Sequence, residues 1–220
     1  MKGLFFATFY HVVVLAVAMG MLGTTGVGLS TAQAQTVIDQ WTDVKIPPPP
    51  ELKPVTIKPE TTALLLLDFN SQTCNMKNRP RCIASIPVVK KLLADARAKG
   101  LTRVFSLSPG AEVKDIATDL APMDGEPVVT SGPDKFLNTD LEKILKDKKI
   151  ETVIVTGTAA HGAVLYTASG AALRGMNVIV PVDAISADSL FPELYVVWNL
   201  VNAPRVSTKT VLSKTGMLTF

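Results

Sequence analysis

The residue best placed to do chemistry is an acid at the end of an apolar run. Residues 62–69 read TALLLLDF, and Asp68 is the one charged residue among them. A carboxylate at the end of a buried strand is costly unless it is paired or hydrogen-bonded, and such environments shift pKa values into the range that acid/base catalysis uses. Asp68 is therefore the first catalytic candidate. An aspartate that only caps a loop is the alternative.

A turn of small residues is the second candidate feature. Residues 157–163 read GTAAHGA and join a predicted strand to a predicted helix. Backbone N–H groups at a helix start favour negative charge, so the turn is a candidate oxyanion site. It is not a phosphate loop, because Ala163 and Val164 stand where Lys and Ser/Thr are needed. His161 is either a residue of this site or a helix N-terminal residue that hydrogen-bonds locally.

Strands alternate with helices from residue 61 onward. The predicted strands are 62–69, 102–107, 127–130, 153–156, 178–182 and 206–212, and the predicted helices are 83–99, 139–148, 163–173 and 192–200. This alternation indicates an α/β sandwich with a mostly parallel sheet. Functional groups in such sheets collect beyond the carboxyl ends of the strands. Asp68, Thr130 and the 157–163 turn are therefore expected to meet at one crevice.

Residues 1–34 have the pattern of a secretory signal peptide. Lys2 precedes an uncharged stretch over 4–29, and residues 32–34 (AQA) place small side chains before a cleavage site. We expect cleavage after Ala34 and a secreted or periplasmic protein without membrane contact. An uncleaved anchor is the alternative, since the apolar stretch approaches the ~20 residues that span a bilayer.

The region after the leader is rich in proline. Residues 47–50 are PPPP, and Pro54 and Pro59 follow, which excludes a helix and favours extended chain. We therefore divide the chain into a signal peptide over 1–34, a Pro-rich extended arm over 35–60 and one domain over 61–220.

Two cysteines lie in the loop after the first predicted strand. In an exported protein, the closely spaced pair Cys74 and Cys82 indicates a disulfide. A displaced nucleophile at Cys74 is the alternative. Arg79 and Arg81 in the same loop are candidates for binding a carboxylate substrate, with two solvated arginines as the other interpretation.

The composition excludes several functional classes. The 22 basic residues face 19 acidic ones with interleaved signs, which gives no nucleic-acid-binding surface. Two cysteines and two histidines without ligand spacing argue against a zinc site, and we expect no metal and no cofactor. The 47% of hydrophobic residues is enough to bury the core of one domain.

These segments together resemble the isochorismatase-like hydrolase family, over nearly all of residues 61–212. The resemblance is carried by LLLLDFN at 64–70, DKFLNTDLEKIL at 134–145, TVIVTGTAAHGAVLYTA at 152–168 and VIVPVDAIS at 178–186. It implies a Rossmann-like three-layer α/β/α sandwich and a homo-oligomer. It also implies hydrolysis of a small molecule, for which most members use a triad of Asp, Lys and Cys.

The chain departs from that triad at two positions. Asp68 matches the family's acid, but the family's Cys falls at Ala163 and its Lys falls at Thr130. An alanine cannot attack a carbonyl. The isochorismatase branch of the family also lacks the Cys, and it cleaves a vinyl ether by proton transfer from the Asp followed by water addition. Lys135, five residues after Thr130, is the candidate to replace the missing lysine.

The resemblance also implies the rest of the site. It places a cis peptide between Thr158 and Ala159, which would form an oxyanion hole with the N–H of Ala163, with His161 and Thr130 lining the substrate. The sequence thus predicts an exported hydrolase of a small anionic molecule that uses acid/base catalysis without a Cys nucleophile. The alternative is an inactive member that serves as a small-molecule-binding or interaction protein.

Overall fold

The computed structural model describes residues 34–220, which fall into two units. The first unit is Met1–Ile46, and its described part contains one 3-10 turn, Trp41–Asp43. The second unit is Pro47–Phe220. The predicted signal peptide lies outside the described residues except for Ala34. Across residues 34–220, none of the helices combines the length and the apolar character needed to cross a membrane.

A seven-stranded parallel sheet forms the centre of the second unit. The strands of the whole unit, including two outside this sheet, are β1 (Val55–Thr56), β2 (Thr62–Leu67), β3 (Thr102–Leu107), β4 (Val128–Thr130), β5 (Thr152–Thr158), β6 (Asn177–Pro181), β7 (Ile185–Ser186), β8 (Thr210–Ser213) and β9 (Leu218–Thr219). Their order in the sheet is β4-β3-β2-β5-β6-β8, and β7 pairs with the end of β5. Strands β1 and β9 form a separate parallel ribbon.

Helices cover both faces of the sheet, so the fold has the expected three layers. The helices are α1 (Pro80–Ala98), α2 (Leu141–Asp147), α3 (Leu165–Leu173) and α4 (Leu190–Asn202). Leu65 and Leu67 of β2 pack in the cluster that contains α2, α3 and α4, whereas Leu64 and Leu66 pack in the cluster that contains α1. Because side chains alternate along a strand, a strand buried on both faces has to be apolar at every position. The predicted α/β/α fold class is confirmed.

The compact unit begins earlier than the composition predicts. The boundary was expected at residue 61, but the N–H of Lys53 donates to the carbonyl of Leu212 (2.9 Å) and the N–H of Ile57 donates to the carbonyl of Thr219 (2.7 Å). Ile57 is also buried. The prolines of this segment lack an N–H, but Lys53 and Ile57 between them have one and donate it to backbone carbonyls of the C-terminal strands. The second half of the predicted arm therefore belongs to the domain.

Candidate active site

Asp68 and Lys135 form a buried ion pair beyond the end of β2. One carboxylate oxygen of Asp68, Oδ2, lies 2.8 Å from Nζ of Lys135, and the exposed fractions of the two side chains are 7% and 0%. The other oxygen, Oδ1, accepts a hydrogen bond from the hydroxyl of Ser106 at 2.7 Å. The backbone N–H of Asp68 donates to the same hydroxyl at 3.2 Å. The acid is thus held in a fixed orientation by two neighbouring side chains.

Three elements hold Lys135 in place. Besides the carboxylate, its ammonium donates to the carbonyl of Ser131, after β4, at 2.9 Å and to that of Leu107, the last residue of β3, at 3.4 Å. Its backbone N–H donates to the hydroxyl of Thr167 in α3 at 3.2 Å. An ammonium group has three protons, and here each has an acceptor. Because all its protons are hydrogen-bonded, the free-energy cost of burying the charged lysine is reduced.

The surroundings of Asp68 raise the pKa of its carboxyl group. Burial is the largest cause, because removal from water disfavours the charged form. The ammonium of Lys135, the hydroxyl of Ser106 and, by charge alone, Arg79 act in the opposite direction and lower this pKa, but burial outweighs them. A carboxyl group with a raised pKa is suited to donating a proton.

A disulfide closes the loop that follows Asp68. Cys74 and Cys82 are bonded, with their Cα atoms 5.4 Å apart, which confirms the expected bridge. Cys74 therefore has no free thiol, and the interpretation of it as a displaced nucleophile is wrong. In the same loop the hydroxyl of Thr73 donates to the carbonyl of Asp68, and the guanidinium of Arg79 donates to the carbonyl of Thr73 at 3.0 Å. The loop is thereby tied to the backbone of the acid.

Arg81 is exposed, but its guanidinium is already paired with a carboxylate of the protein. Its guanidinium makes two hydrogen bonds to the carboxylate of Glu193 in α4, which also accepts the N–H of Ala187 at 2.9 Å. Such a two-point pair occupies the groups that would have bound a ligand. Of the two loop arginines, only Arg79 contributes charge at Asp68.

The turn of small residues lies beside the acid, at the end of β5. Gly157 pairs with Leu67 across the sheet and has a φ of 135°, a conformation that side chains rarely adopt. The peptide bond between Thr158 and Ala159 is cis, as the resemblance implies. One π-helical turn, Ala160–Val164, precedes α3, and Ala163 within it is buried. The helix predicted to begin at Ala163 thus begins as a wider turn.

Two predicted site residues are exposed, in contrast to the buried pair. Thr130, where the resemblance places the family's lysine, ends β4 and is exposed, and the lysine that pairs with the acid is Lys135. His161 is also exposed. Within residues 34–220, no group of three or more His, Cys, Asp or Glu side chains is placed to hold a metal ion.

Ser106 is a site residue that the sequence analysis missed. It lies directly opposite Leu67 in the register of β2 and β3, and its side chain is buried against the acid. The available signal was one polar residue inside the otherwise apolar end of β3. A buried polar side chain needs a partner, and that requirement points to the neighbouring strand.

Comparison with known proteins gives the family. The sequence model described as the isochorismatase domain matches residues 62–208, which is most of the chain. The chain belongs to the isochorismatase family. The family membership that the sequence motifs predict is confirmed.

Isochorismatase-family relatives include secreted and amidase proteins. A secreted isochorismatase effector of Verticillium dahliae is 31% identical over 144 residues, covering 60% of this chain and 76% of that protein. An N-carbamoylsarcosine amidase of an Arthrobacter species is 39% identical over 67 residues, covering 30% of this chain and 25% of the amidase.

Solved structures of the family share the architecture. An isochorismatase-family protein of Burkholderia thailandensis superimposes with a TM-score of 0.64 at 22% identity, covering 76% of this chain and 96% of that protein. An isochorismatase-like hydrolase of Alkaliphilus metalliredigens superimposes with the same TM-score of 0.64, also at 22% identity, covering 71% and 95%. At this level of identity the likeness concerns the fold alone.

Proposed function

We propose that this protein is an exported isochorismatase-family hydrolase that cleaves a small anionic molecule with Asp68 as the general acid. The observation that carries the proposal is the buried pair of Asp68 and Lys135, joined at 2.8 Å at the carboxyl edge of the sheet. Export is supported by the N-terminal leader pattern and by the secreted relative in Verticillium dahliae.

The pair suits proton donation to a vinyl ether. In its protonated form Asp68 gives its proton to the terminal carbon of the double bond, and the ether carbon becomes an oxocarbenium ion. Water then adds to that carbon and returns a proton to the carboxylate, after which the hemiketal separates into a ketone and an alcohol. The charge that develops on Asp68 during donation is stabilised by Lys135 and Ser106, whose positions are already fixed.

The chain has no sulfur nucleophile in this scheme. Ala163 stands where the resemblance places the family's Cys, and both cysteines are consumed in the disulfide. A covalent amidase mechanism therefore lacks its attacking atom. Vinyl ether cleavage by acid catalysis needs no such atom, which is why we favour it over amide hydrolysis.

A binding protein without turnover is the second candidate function. Ala163 favours it, because loss of a triad nucleophile costs orders of magnitude in rate in an enzyme that depends on one. In that case the buried pair would serve to orient a ligand and would do no chemistry. The two candidates differ in whether Asp68→Asn changes a reaction rate.

The test is turnover of isochorismate by the full chain collected from an exporting host, with a simple amide and a simple ester as alternative substrates. We expect release of pyruvate from isochorismate, and we expect Asp68→Asn to lower kcat by about a hundredfold to ten-thousandfold, the usual contribution of a general acid. Asp147→Asn is the matched control, because Asp147 also pairs with a lysine, but at the surface. Turnover unaffected by Asp68→Asn would refute the mechanism, and no turnover of any substrate would favour the binding protein.

A further inference from the structure

A groove lies at the end of the sheet opposite the acid. Its volume is about 340 Å³, toward the lower end of the range for small-molecule sites, and the first residues of β2, β5 and β6 line it. Thr62 begins β2, and Asp68 follows the last residue of that strand, so extended chain separates the groove from the acid by about 20 Å. The groove is therefore separate from the candidate active site.

Three polar residues form a row along this groove. Thr62, Thr152 and Asn177 are the first residues of β2, β5 and β6, and the register pairs Thr62 with Thr152 and Thr152 with Asn177. Neighbouring strands are about 4.8 Å apart, so the row is about 10 Å long. It suits a ligand of two linked rings better than a single small ion.

The three side chains point to the same face of the sheet. Side chains alternate along a strand, so each has the direction of the residue two positions further on. Those residues all pack in the cluster that contains α1: Leu64, Ile154 and Ile179. Ile57 and Leu218 belong to the same cluster, so the β1–β9 ribbon lies on this face too, and residues 55–58 line the groove. The groove therefore lies between the row and this segment.

The polar groups of the row are not used by the protein. Within residues 34–220, the hydroxyls of Thr62 and Thr152 and the amide of Asn177 have no hydrogen-bond partner, and none of them is sealed from solvent. Thr62 is only 2% exposed and lines the groove, so the groove is where its hydroxyl meets solvent. Further along β5, in contrast, Thr156 and Thr158 donate their hydroxyls to backbone carbonyls. The row is thus free to bind a ligand.

Two lysines give the groove positive charge. Lys209 directly precedes β8, and its carbonyl accepts the N–H of Val178 at 2.8 Å, which places Lys209 beside Asn177 at the end of the row. Lys58 lines the groove from the segment that follows β1. Neither ammonium makes an ion pair with a carboxylate of the described chain. Both charges are therefore available.

Glu151 is the carboxylate among the lining residues. It is exposed and directly precedes Thr152, so by alternation its side chain points to the other face of the sheet. The charge that faces the row is therefore positive.

The chemistry of the groove limits what it can bind. Hydroxyl and amide groups both donate and accept hydrogen bonds, as sugar hydroxyls do. A neutral sugar would leave the two ammonium groups unused, whereas a small inorganic anion would not reach along the row. Val55 and Ile179 add apolar surface on which the C–H groups of a sugar ring can pack.

We propose that this groove binds an acidic saccharide. The sugar hydroxyls bind the row of Thr62, Thr152 and Asn177, and carboxylates of the sugar pair with Lys209 and Lys58. The proposal adds a second binding site to the protein and does not depend on the proposed function.

The test is calorimetric titration of the full chain with three probes: digalacturonate, its neutral counterpart galactobiose, and inorganic phosphate. We expect digalacturonate to bind at least about tenfold more tightly than galactobiose, because a hydrogen bond to a charged group is the stronger one. Its affinity should fall as the salt concentration rises, since the charges of the groove are near the surface. Phosphate should not bind at the same millimolar concentration.

Two variants separate the charge from the row. Lys209→Gln should weaken digalacturonate binding about three- to tenfold and leave galactobiose binding unchanged. Thr152→Val keeps the shape of the side chain without its hydroxyl, and it should weaken the binding of both sugars about three- to tenfold. Lys148→Gln is the control for charge, because Lys148 is exposed but lies outside the groove. It should keep both affinities.

Thermal stability separates binding from structure. The hydroxyl of Thr152 bonds nothing in the described chain and valine favours strands, so Thr152→Val should have an unchanged or higher Tm. Thr156→Val is the matched control on the same strand: its hydroxyl donates to the carbonyl of Leu65 at 2.8 Å. That variant should lose Tm and keep full affinity for digalacturonate.

Several results would overturn the proposal. One is phosphate or galactobiose binding as tightly as digalacturonate, and another is no binding of digalacturonate at millimolar concentration. Unchanged affinity in either Lys209→Gln or Thr152→Val is a third. Loss of digalacturonate binding in Asp68→Asn would place the sugar in the candidate active site and also overturn it.

The proposed reaction is tested separately. Thr152→Val should turn over isochorismate as the wild type does, because Thr152 lies at the other end of the sheet from the acid. If isochorismate is not turned over but the sugar affinities change as expected, the proposed reaction is wrong and the saccharide site stands.

Discussion

At the scale of single residues, the acid is paired with a lysine that lies five residues after the position predicted for one. The resemblance places the family's Lys at Thr130, whereas Lys135 pairs with the acid from further along the loop. A lysine side chain is long and flexible, so its ammonium can reach one point from several places on the backbone. Acid catalysis needs a positive charge beside the carboxyl group of the acid. The position in the sequence of the lysine that supplies this charge matters less.

The pH dependence of turnover tests this arrangement. A general acid works in its protonated form, so kcat/KM should fall as pH rises through the raised pKa of Asp68. Lys135→Gln removes the charge that lowers this pKa, and the falling limb should therefore move to higher pH while kcat decreases. The measurement is kcat/KM between about pH 4 and pH 9. Lys143→Gln, at an exposed ion pair, should leave the profile unchanged, and a limb that stays in place or moves to lower pH in Lys135→Gln contradicts the assignment.

At the scale of elements, the site depends on how closely β2 and β5 approach at their carboxyl ends. Gly157 pairs with Leu67, the residue directly before the acid, and a Cβ at Gly157 would collide with the carbonyl oxygen of Leu67. The positive φ of Gly157 adds a second reason for glycine. One residue thus sets both the spacing of the strands and the start of the cis peptide turn.

Replacing that glycine should disrupt the fold as well as the site. We expect Gly157→Ala to lower the free energy of unfolding by at least about 3 kcal/mol, because the new methyl group meets backbone that cannot move aside and because alanine disfavours this φ. Urea unfolding measures the change. Gly216→Ala is the control, since a Cβ there has open space. Equal stability of the two variants would show that the strands can separate without cost.

At the scale of the whole molecule, one buried carboxylate joins three consecutive parts of the fold. Glu126, just before β4, pairs with Arg97 of α1 at 2.7 Å and with Arg103 of β3 at 2.8 Å. Burial would raise the pKa of Glu126, but hydrogen bonds from Arg97, from the N–H of Met123 and from Arg103 together lower it to about 2.

This cluster predicts a loss of stability in acid. The folded pKa of Glu126 lies below its unfolded value of 4.5, so the stability that it contributes is present above about pH 4.5 and is lost as pH falls toward about 2. We expect this loss to be about 2 kcal/mol, less than the full shift implies because both arginines are partly exposed.

The measurement is urea unfolding of wild type and Glu126→Gln at several pH values. The variant should be less stable at neutral pH and should lose less stability between about pH 5 and pH 2. Asp119→Asn, at an exposed pair with Lys90, is the control and should follow the wild type. Parallel curves for wild type and Glu126→Gln would refute the role of the cluster.

The sequence by itself determined the elements and the acid. The run over 62–67 has to be a central strand because it is apolar at every position, and the acid at its end has to lie at the carboxyl edge of the sheet. The bridge between Cys74 and Cys82 also followed from sequence, because two closely spaced cysteines behind a predicted secretion leader indicate a disulfide. Each of these features involves residues close together in the chain, so the sequence pattern is enough to predict it.

Only the tertiary structure decided which groups meet the acid. Lys135 and Ser106 come from segments distant along the chain, and the loop that carries Lys135 has no periodicity that would show where its side chain goes. Its place follows from a hydrogen bond of its backbone N–H to Thr167 of α3 and from carbonyl acceptors at the ends of β3 and β4. The sequence also could not predict that Nδ2 of Asn70 and Oγ of Ser186 are buried without a hydrogen-bond partner within residues 34–220. Whether a buried atom has a partner depends on all of its neighbours in the folded chain.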